Sequence, residues 1–421
     1  MTSNSVFPIR LKLSLLISIF CLSMPLSAGA EEGELERLQI DTALTLGGVL
    51  LTAFERNPQQ PLLQAGSVDA EARARHALAA LPGAPAINMR HQNDVIGSGR
   101  NLREWEAGLE LPVWLPGQRA AREAVAREAQ GGLDAGRTSL LLETAGQLRD
   151  ALWDVAMNVN AVDLAAARVK SAQALEHDVL RRHQAGELAK TDVMLAQSET
   201  LQAQTAHLRA QAELKHAEHR YWMLTGLKHT PVFVEEPLAG ETRPDDSHPL
   251  LAVSARQIAL AQEERNLTRV EKRENPQLLL NARHERGAFD TEYDSSIGVA
   301  VRIPLSAEVR SAPMLAKAEM GLAQAMSNHE QRRLALLTAM HEAEHNLEVT
   351  RSELVIVEEQ HRLAQESLRL ARKAFELGET DLVHLMRVQA QAYEAERALG
   401  NRQIQLKWDI ARFNQAAGVL P

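Results

Sequence analysis

His341-Glu342-Ala343-Glu344-His345 has the short spacing of a zinc peptidase: two histidines four residues apart share one helical face, with a carboxylate between them. A catalytic zinc also needs a third ligand and an open coordination position. The residues around this pentad supply neither, reading instead as a long charged helix of alternating polar and apolar positions. His216-Ala217-Glu218-His219-Arg220 reads in the same way, as surface or interhelical polar residues. Gly97-Ser98-Gly99-Arg100 lacks the ending of a phosphate loop and is a turn between two candidate strands. No catalytic residue, resident metal or cofactor is expected. The remaining residues of chemical interest cluster at two glycines, Gly186 and Gly378: Asp192 follows the first, and Asp381, His384 and Arg387 follow the second.

These residues belong to a chain of 421 residues with a formal net charge of -9. Arg10 and Lys12, the apolar run Leu13 to Met24 and the ending Ala28-Gly29-Ala30 have the pattern of a secretory signal peptide, cleaved after Ala30. Phe20 stands before Cys21 where a lipoprotein would carry a small residue. Removing two basic and no acidic side chains takes the charge from -9 to -11 and removes the single cysteine. The exported chain then forms no disulfide. Its acidity argues against a broad nucleic-acid surface.

The chain matches itself at an offset of 192 residues. That offset pairs Leu111-Pro112 with Ile303-Pro304, Gly186-Glu187 with Gly378-Glu379, Gln197 with Gln389, Arg220-Tyr221 with Arg412-Phe413, and Gly226 with Gly418. Shared glycine and proline punctuation is the signature of a duplication. It predicts a first structural repeat over 31–227, a proline-rich equatorial linker over 228–247 and a second repeat over 248–421. Each repeat reads as helix, two strands, then a long helical hairpin. The strand pairs fall at about 86–114 and 277–305, and the hairpin tips near 186 and 378.

Ile297, Val299, Val301 and Ile303 alternate with Gly298, Ala300 and Arg302. That period of two fits a tilted membrane-spanning strand, and it also fits a small soluble sheet. The proline-free stretch Gln118 to His183 and its counterpart Pro313 to Phe375 each predict a helix on the order of 100 Å long. Leu347, Leu354, His361, Leu368 and Phe375 recur every seven residues beside Thr350, Val357, Ala364 and Ala371, as in a coiled-coil seam. The helices after each tip are shorter. The helix from Gly186 to about Leu224 and the helix Pro249 to Arg273, stacked end to end, can accompany one long arm, giving a tower with strands at one end and the two glycines at the other.

Over Asp41 to Leu420, this duplicated order, the Gly-centred turns and Leu109 to Ala124 (LELPVWLPGQRAAREA) resemble the TolC-like outer-membrane efflux protein family. The phrase WLPGQR before an alanine-rich helix is similar to the heavy-metal branch, the cobalt-zinc-cadmium efflux components. The resemblance implies a mixed α/β membrane protein. In that family a homotrimeric twelve-stranded outer-membrane β-barrel, four strands per chain, is continuous with a long periplasmic α-helical barrel. It also implies a Gram-negative outer membrane with its lipid, a periplasmic adaptor, an inner-membrane resistance-nodulation-division pump, and no catalysis. Ala185, Gly186, Glu187, Leu377, Gly378 and Glu379 match the adaptor-contacting tips, and Asp192, Asp381, His384 and Arg387 become candidates for the channel entrance. His384 and Arg387 stand where the general exporter carries acidic side chains. The leading expectation is a passive duct for divalent heavy-metal cations. The alternatives are the same duct carrying drugs or other small molecules, and a nontransport periplasmic adaptor or coiled-coil protein.

Overall fold

Thr45, in an extended conformation, ends the N-terminal approach and accepts the Gly48 N–H at 3.1 Å, starting the first helix, α1 (Leu46–Glu55). The computed structural model describes residues 37–232, 236–240, 244–305 and 308–421. The expected signal peptide and Cys21 lie outside the described residues. Within the unit Arg37–Pro421, β1 (Gln39–Asp41) and α1 are followed by α2 (Gln60–Leu78), β2 (Ala86–Asn93), β3 (Arg103–Pro112), α3 (Gln118–Gln184) and α4 (Lys190–Thr225). Then come β4 (His229–Pro231), α5 (Pro249–Val270), β5 (Gln277–Arg286), β6 (Asp294–Arg302), α6 (Glu308–Glu376) and α7 (Leu382–Ala416).

The helix lengths set the architecture. α3 and α6 have 67 and 69 residues, against 36 for α4, 35 for α7 and 22 for α5. At 1.5 Å per residue the long helices run about 100 Å and the shorter hairpin arms about 50 Å. The first part of α3 packs on α2 and α5, and its later part packs on α4 and α7. Arg119 holds the α2 end through the Ala77 and Leu78 carbonyls, whereas Arg168 reaches Glu199 on α4 at 2.7 Å. α6 is accompanied by α5 and then α7. Lower down the order is therefore α4, α3, α7, α6, with α4 and α6 at the edges.

Two apolar clusters hold this stack. One joins Val49 and Leu50 of α1 to Leu148, Leu152, Leu214 and Tyr221 at mid-height. The other joins Leu175, Val179 and Val193 of the first hairpin to Leu368, Phe375, Leu382 and Leu385 of the second. The seven-residue seam on α6 is accordingly directed inward: Leu347, Thr350, Leu368, Ala371 and Phe375 are buried, and Leu354 and His361 half-buried.

Several boundaries differ from the sequence expectation. α6 begins before Pro313, its sixth residue, where the ring removes the N–H that would bond the Val309 carbonyl. β2 stops at Asn93 because Asp94 organises a turn, its carboxylate accepting from Ser98 Oγ and from the N–H groups of Arg100 and Leu102. The linker carries β4, which pairs in parallel with β1. Tyr221 locks that pair to α4 by donating its hydroxyl to the His229 carbonyl at 2.9 Å, and burial pushes its pKa up to about 12.

A buried arginine fixes the linker. Arg149 of α3 gives Nε and Nη2 to the two oxygens of Glu236 at 2.9 and 2.6 Å, Nη1 to Gln415 Oε1 at 2.6 Å, and Nη2 also to the Val419 carbonyl at 3.0 Å. Asn414 completes the node, donating to the Pro237 carbonyl and accepting the Ala239 N–H.

Candidate functional site

β2, β3, β5 and β6 form one antiparallel sheet in the order β2-β3-β5-β6. In such a sheet directly opposed residues point to the same face. The register aligns Ile87, Leu109, Leu280 and Val299 in one row and Met89, Ala107, Ala282 and Ile297 in the next. With Leu111, Leu278 and Val301, one face is continuously apolar, and Ile87, Met89, Val299, Val301 and Ile297 on it are exposed. The opposite face carries Asn88, Arg90, Gln92, Glu104, Glu106, Glu110, Arg283, Glu285, Asp294 and Arg302. Glu104 and Glu285 clamp Arg283, Asn281 donates to Glu106 at 3.0 Å and Asn88 to Glu110 at 2.8 Å. β3 has ten residues, about 34 Å of strand. Tilted as barrel strands are, that spans a band of about 25 Å.

Aromatic residues mark both ends. Trp105 and Tyr293 stand at the loop end, each stacked on a histidine, His91 at 4.0 Å and His284 at 4.5 Å. Trp114 lies at the helical end, donating Nε1 to the Ala80 carbonyl at 3.1 Å under the Arg122 guanidinium. There the sheet passes into the helices through a buried polar junction. Gln118 bonds Glu271 at 2.8 Å and Asn275, and Asn275 returns to the Val113 carbonyl at 2.9 Å.

At the far end both hairpin tips use the same backbone device. Gly186 and Gly378 have φ of 83° and 74°. Glu187 N–H reaches the Arg182 carbonyl and Gly186 N–H the His183 carbonyl, both at 2.9 Å. The second tip repeats this, Glu379 to Ala374 at 2.8 Å and Gly378 to Phe375 at 3.2 Å. These are Schellman closures, in which the left-handed glycine satisfies the last carbonyls of the helix. A Cβ at either glycine would meet nothing within 4 Å, so backbone conformation and not space demands glycine.

Ala185, Gly186, Glu187, Leu377, Gly378 and Glu379 are all exposed. Asp381 caps α7, accepting the His384 N–H at 2.7 Å. Asp192 sits at the third position of α4 and accepts the Ala189 N–H at 3.1 Å, half of a capping box because alanine has no side-chain acceptor to complete it. The side chains of His384 and Arg387 are exposed one turn apart on α7, while Asp192 belongs to the other hairpin.

The tips are also latched together by a residue whose role has no signature in a charged helix. Arg182 donates to the Phe375 carbonyl at 3.1 Å and lies 4.9 Å from that ring, held by Asp178 at 3.1 Å. His183 Nδ1–H donates to the Leu188 carbonyl at 2.8 Å. Just above, a cavity of about 270 Å³ opens between the hairpins, lined by Arg168, Glu199, Arg372, Tyr393 and Glu396 among others.

The catalytic alternatives do not assemble. His341 and His345 are exposed with ring centroids 6.4 Å apart, and among the described residues no group of three or more His, Cys, Asp or Glu is placed to hold a metal. Ser254, His329 and Asp246 do approach a triad order, with Ser254 Oγ 2.9 Å from His329 Nδ1 and His329 Nε2 3.6 Å from Asp246. Ser254 is fully buried, however, and its hydroxyl proton goes to the Leu251 carbonyl at 2.9 Å. A nucleophile that no substrate can reach is a packing group.

An amphipathic four-stranded sheet is thus continuous with two long helical hairpins. The Outer membrane efflux protein family model matches residues 245–419. No curated protein matches the chain. Among solved structures, the outer membrane protein VceC from Vibrio cholerae is 15% identical with a TM-score of 0.69, covering 89% of this chain and 96% of that one. CusC, from a structure describing transmembrane channel formation, is 13% identical with a TM-score of 0.73, covering 91% and 94%. The Campylobacter jejuni CmeC outer membrane channel is 14% identical with a TM-score of 0.70, covering 89% and 85%. The chain shares the fold of these solved outer-membrane proteins over most of its length.

Proposed function

We propose that the chain forms the passive outer-membrane exit duct of a tripartite efflux system, as a homotrimer built from two duplicated halves and working with a periplasmic adaptor and an inner-membrane resistance-nodulation-division pump. The observation that carries this reading is the sheet register, with an exposed apolar face, a polar face, and two unpaired edges at β2 and β6. A membrane tolerates no open sheet edge, so four strands require partners. Three copies supply a closed twelve-stranded barrel.

The helices support the same closure. Met194, Leu201 and Leu208 recur every seven residues on the outside of α4, and Val349, Ile356, Leu363 and Leu370 do so on the outside of α6, with Leu377 continuing the spacing just past its end. Both stripes are exposed on edge helices, as expected of seams between neighbouring subunits. The exposed tips then meet the adaptor, and Asp192, Asp381, His384 and Arg387 shape the entrance.

For cargo, we favour divalent heavy-metal cations. The polar sheet face, which lines the duct in this reading, carries five carboxylates (Glu104, Glu106, Glu110, Glu285 and Asp294) against Arg90, Arg283 and Arg302. That excess attracts cations without a fixed site to trap them. Purified in detergent, the full chain should have the protein mass of three copies and give stepwise conductance in planar bilayers; a monomer that stays in aqueous buffer refutes the duct. A strain lacking the gene should become sensitive to zinc, cobalt, cadmium or copper. Sensitivity to drugs without any metal phenotype would transfer the cargo to small organic molecules.

A further inference from the structure

The apolar face of the sheet changes character in register as it approaches the β2–β3 and β5–β6 loops. After the row Met89, Ala107, Ala282, Ile297 comes His91, Trp105, His284, Ser295, and then Asn93, Arg103, Arg286. Aliphatic side chains thus give way to aromatic and imidazole rings, and these to guanidinium groups, on one surface. The Arg286 guanidinium lies 5.1 Å from the Tyr293 ring, and Nη2 donates to Asn101 Oδ1 at 2.8 Å. That bond and the Phe289 N–H to Arg100 carbonyl bond, 3.2 Å, tie the two loops into one platform. Arg100 covers the exposed Phe289 ring at 5.6 Å, with Ile96 fully exposed nearby in sequence.

The guanidinium groups of this rim stand outside ion pairs, and the second loop's carboxylates are Asp290, folded back on Gly287, and Glu292. Arg283, on the polar face, is paired with Glu104 and Glu285. Among the described residues, Arg100, Arg103 and Arg286 form no such ion pair. Asp94, the carboxylate of the first loop, is turned to Ser98 Oγ and to backbone N–H groups.

We propose that this rim binds the phosphate-bearing headgroup of an outer-leaflet glycolipid. Arg103 and Arg286 take phosphate oxygens, Trp105 and Tyr293 lie against the sugar, and the acyl chains run down the aliphatic rows. Guanidinium groups suit phosphate through charge-assisted, forked hydrogen bonds, and aromatic side chains gather where apolar and polar layers meet. The inference rests on the membrane-spanning reading of the sheet, which places the loop end at the outer leaflet.

The test inserts the full-length protein into phosphatidylcholine vesicles containing either diphosphoryl lipid A or the same lipid with its phosphates removed. Lipid retained after detergent extraction is counted by mass spectrometry. The unaltered protein should enrich the diphosphoryl form, and Arg103→Gln with Arg286→Gln should weaken that enrichment about tenfold or more while still inserting. Arg103→Gln alone, at an exposed residue with no internal partner, should show an intermediate loss, and the paired Arg→Lys changes should retain part of the enrichment. Equal retention of both lipids, or undiminished enrichment in the Gln variants, overturns the proposal. Failure of the unaltered protein to enter vesicles of phosphatidylcholine alone refutes the spanning reading, and the proposal falls with it.

Discussion

Replacing Arg149 by methionine removes the guanidinium that joins α3, the linker and the chain's C-terminal end, and the cost follows from what is left behind. The Arg149 and Glu236 side chains are only 2% and 11% exposed. Without its partner, the Glu236 carboxylate keeps one 3.2 Å bond from Asn414, while Gln415 Oε1 and the Val419 carbonyl lose a donor. Breaking one side of a buried ion pair costs roughly 3–5 kcal/mol. At about 1.4 kcal/mol per factor of ten, the locally opened linker becomes about two to three and a half orders of magnitude more populated. Limited proteolysis of the detergent-solubilised protein between His229 and Pro249 reads that population, because cleavage follows the open fraction when reclosing is fast. Arg149→Met with Glu236→Leu removes both charges and should recover most of the loss, a coupling that a double-mutant cycle isolates. Cleavage of Arg149→Met within a few-fold of the unaltered protein, or strictly additive effects in the pair, would refute the idea that this node holds the linker.

The tips, the subunit seams and one buried histidine give further tests. Because Gly186 and Gly378 need a left-handed backbone in open space, Gly→Asn should be tolerated, whereas Gly→Val at both should cost on the order of 1–2 kcal/mol per site and impair pump-dependent resistance more than trimer insertion. Unchanged resistance in the valine pair would argue against a role for the tips. Leu201→Glu with Leu363→Glu should convert the proposed trimer to smaller species in light scattering, and an intact trimer would remove these stripes from the proposed interface. His248 is buried, accepts the Leu250 N–H through Nδ1 at 3.2 Å, and has its pKa lowered, chiefly by burial, from the ordinary 6.5. The unfolded chain therefore protonates first as pH falls: stability is full above about pH 6.5 and declines below it until the folded-state pKa is passed. His248→Asn, which can cap without titrating, should flatten that part of the pH–stability profile, and an identical slope in the variant would assign the effect elsewhere.

Much of this architecture was legible because it is written in local chemistry. Glycine and proline are constrained by backbone sterics wherever they occur, so Gly186 and Gly378 announced the tips, and the proline-free runs announced the lengths of α3 and α6. The alternation around Ile297 announced a two-faced strand, although sequence alone left open whether its apolar face met lipid or protein. Pairing across long separations was not legible. β1 and β4 are three residues each, too short to show a period, and they meet only because α1 and α4 bring them side by side.

Arg149 was invisible for a related reason. One arginine in a charged helix looks like surface, and its partners lie 87 and 266 residues away, in the linker and at the end of α7. Arg182 shares that anonymity, since its acceptor is a backbone carbonyl of the other hairpin. The sheet shows what decides the matter. Hairpin turns specify β2 with β3 and β5 with β6, but only the β3–β5 register aligns Trp105 with His284 and Arg103 with Arg286. That long-range pairing turns four amphipathic strands into a surface graded from aliphatic to cationic. The rim is thus a product of the joint between the two halves of the chain, and neither half alone carries it.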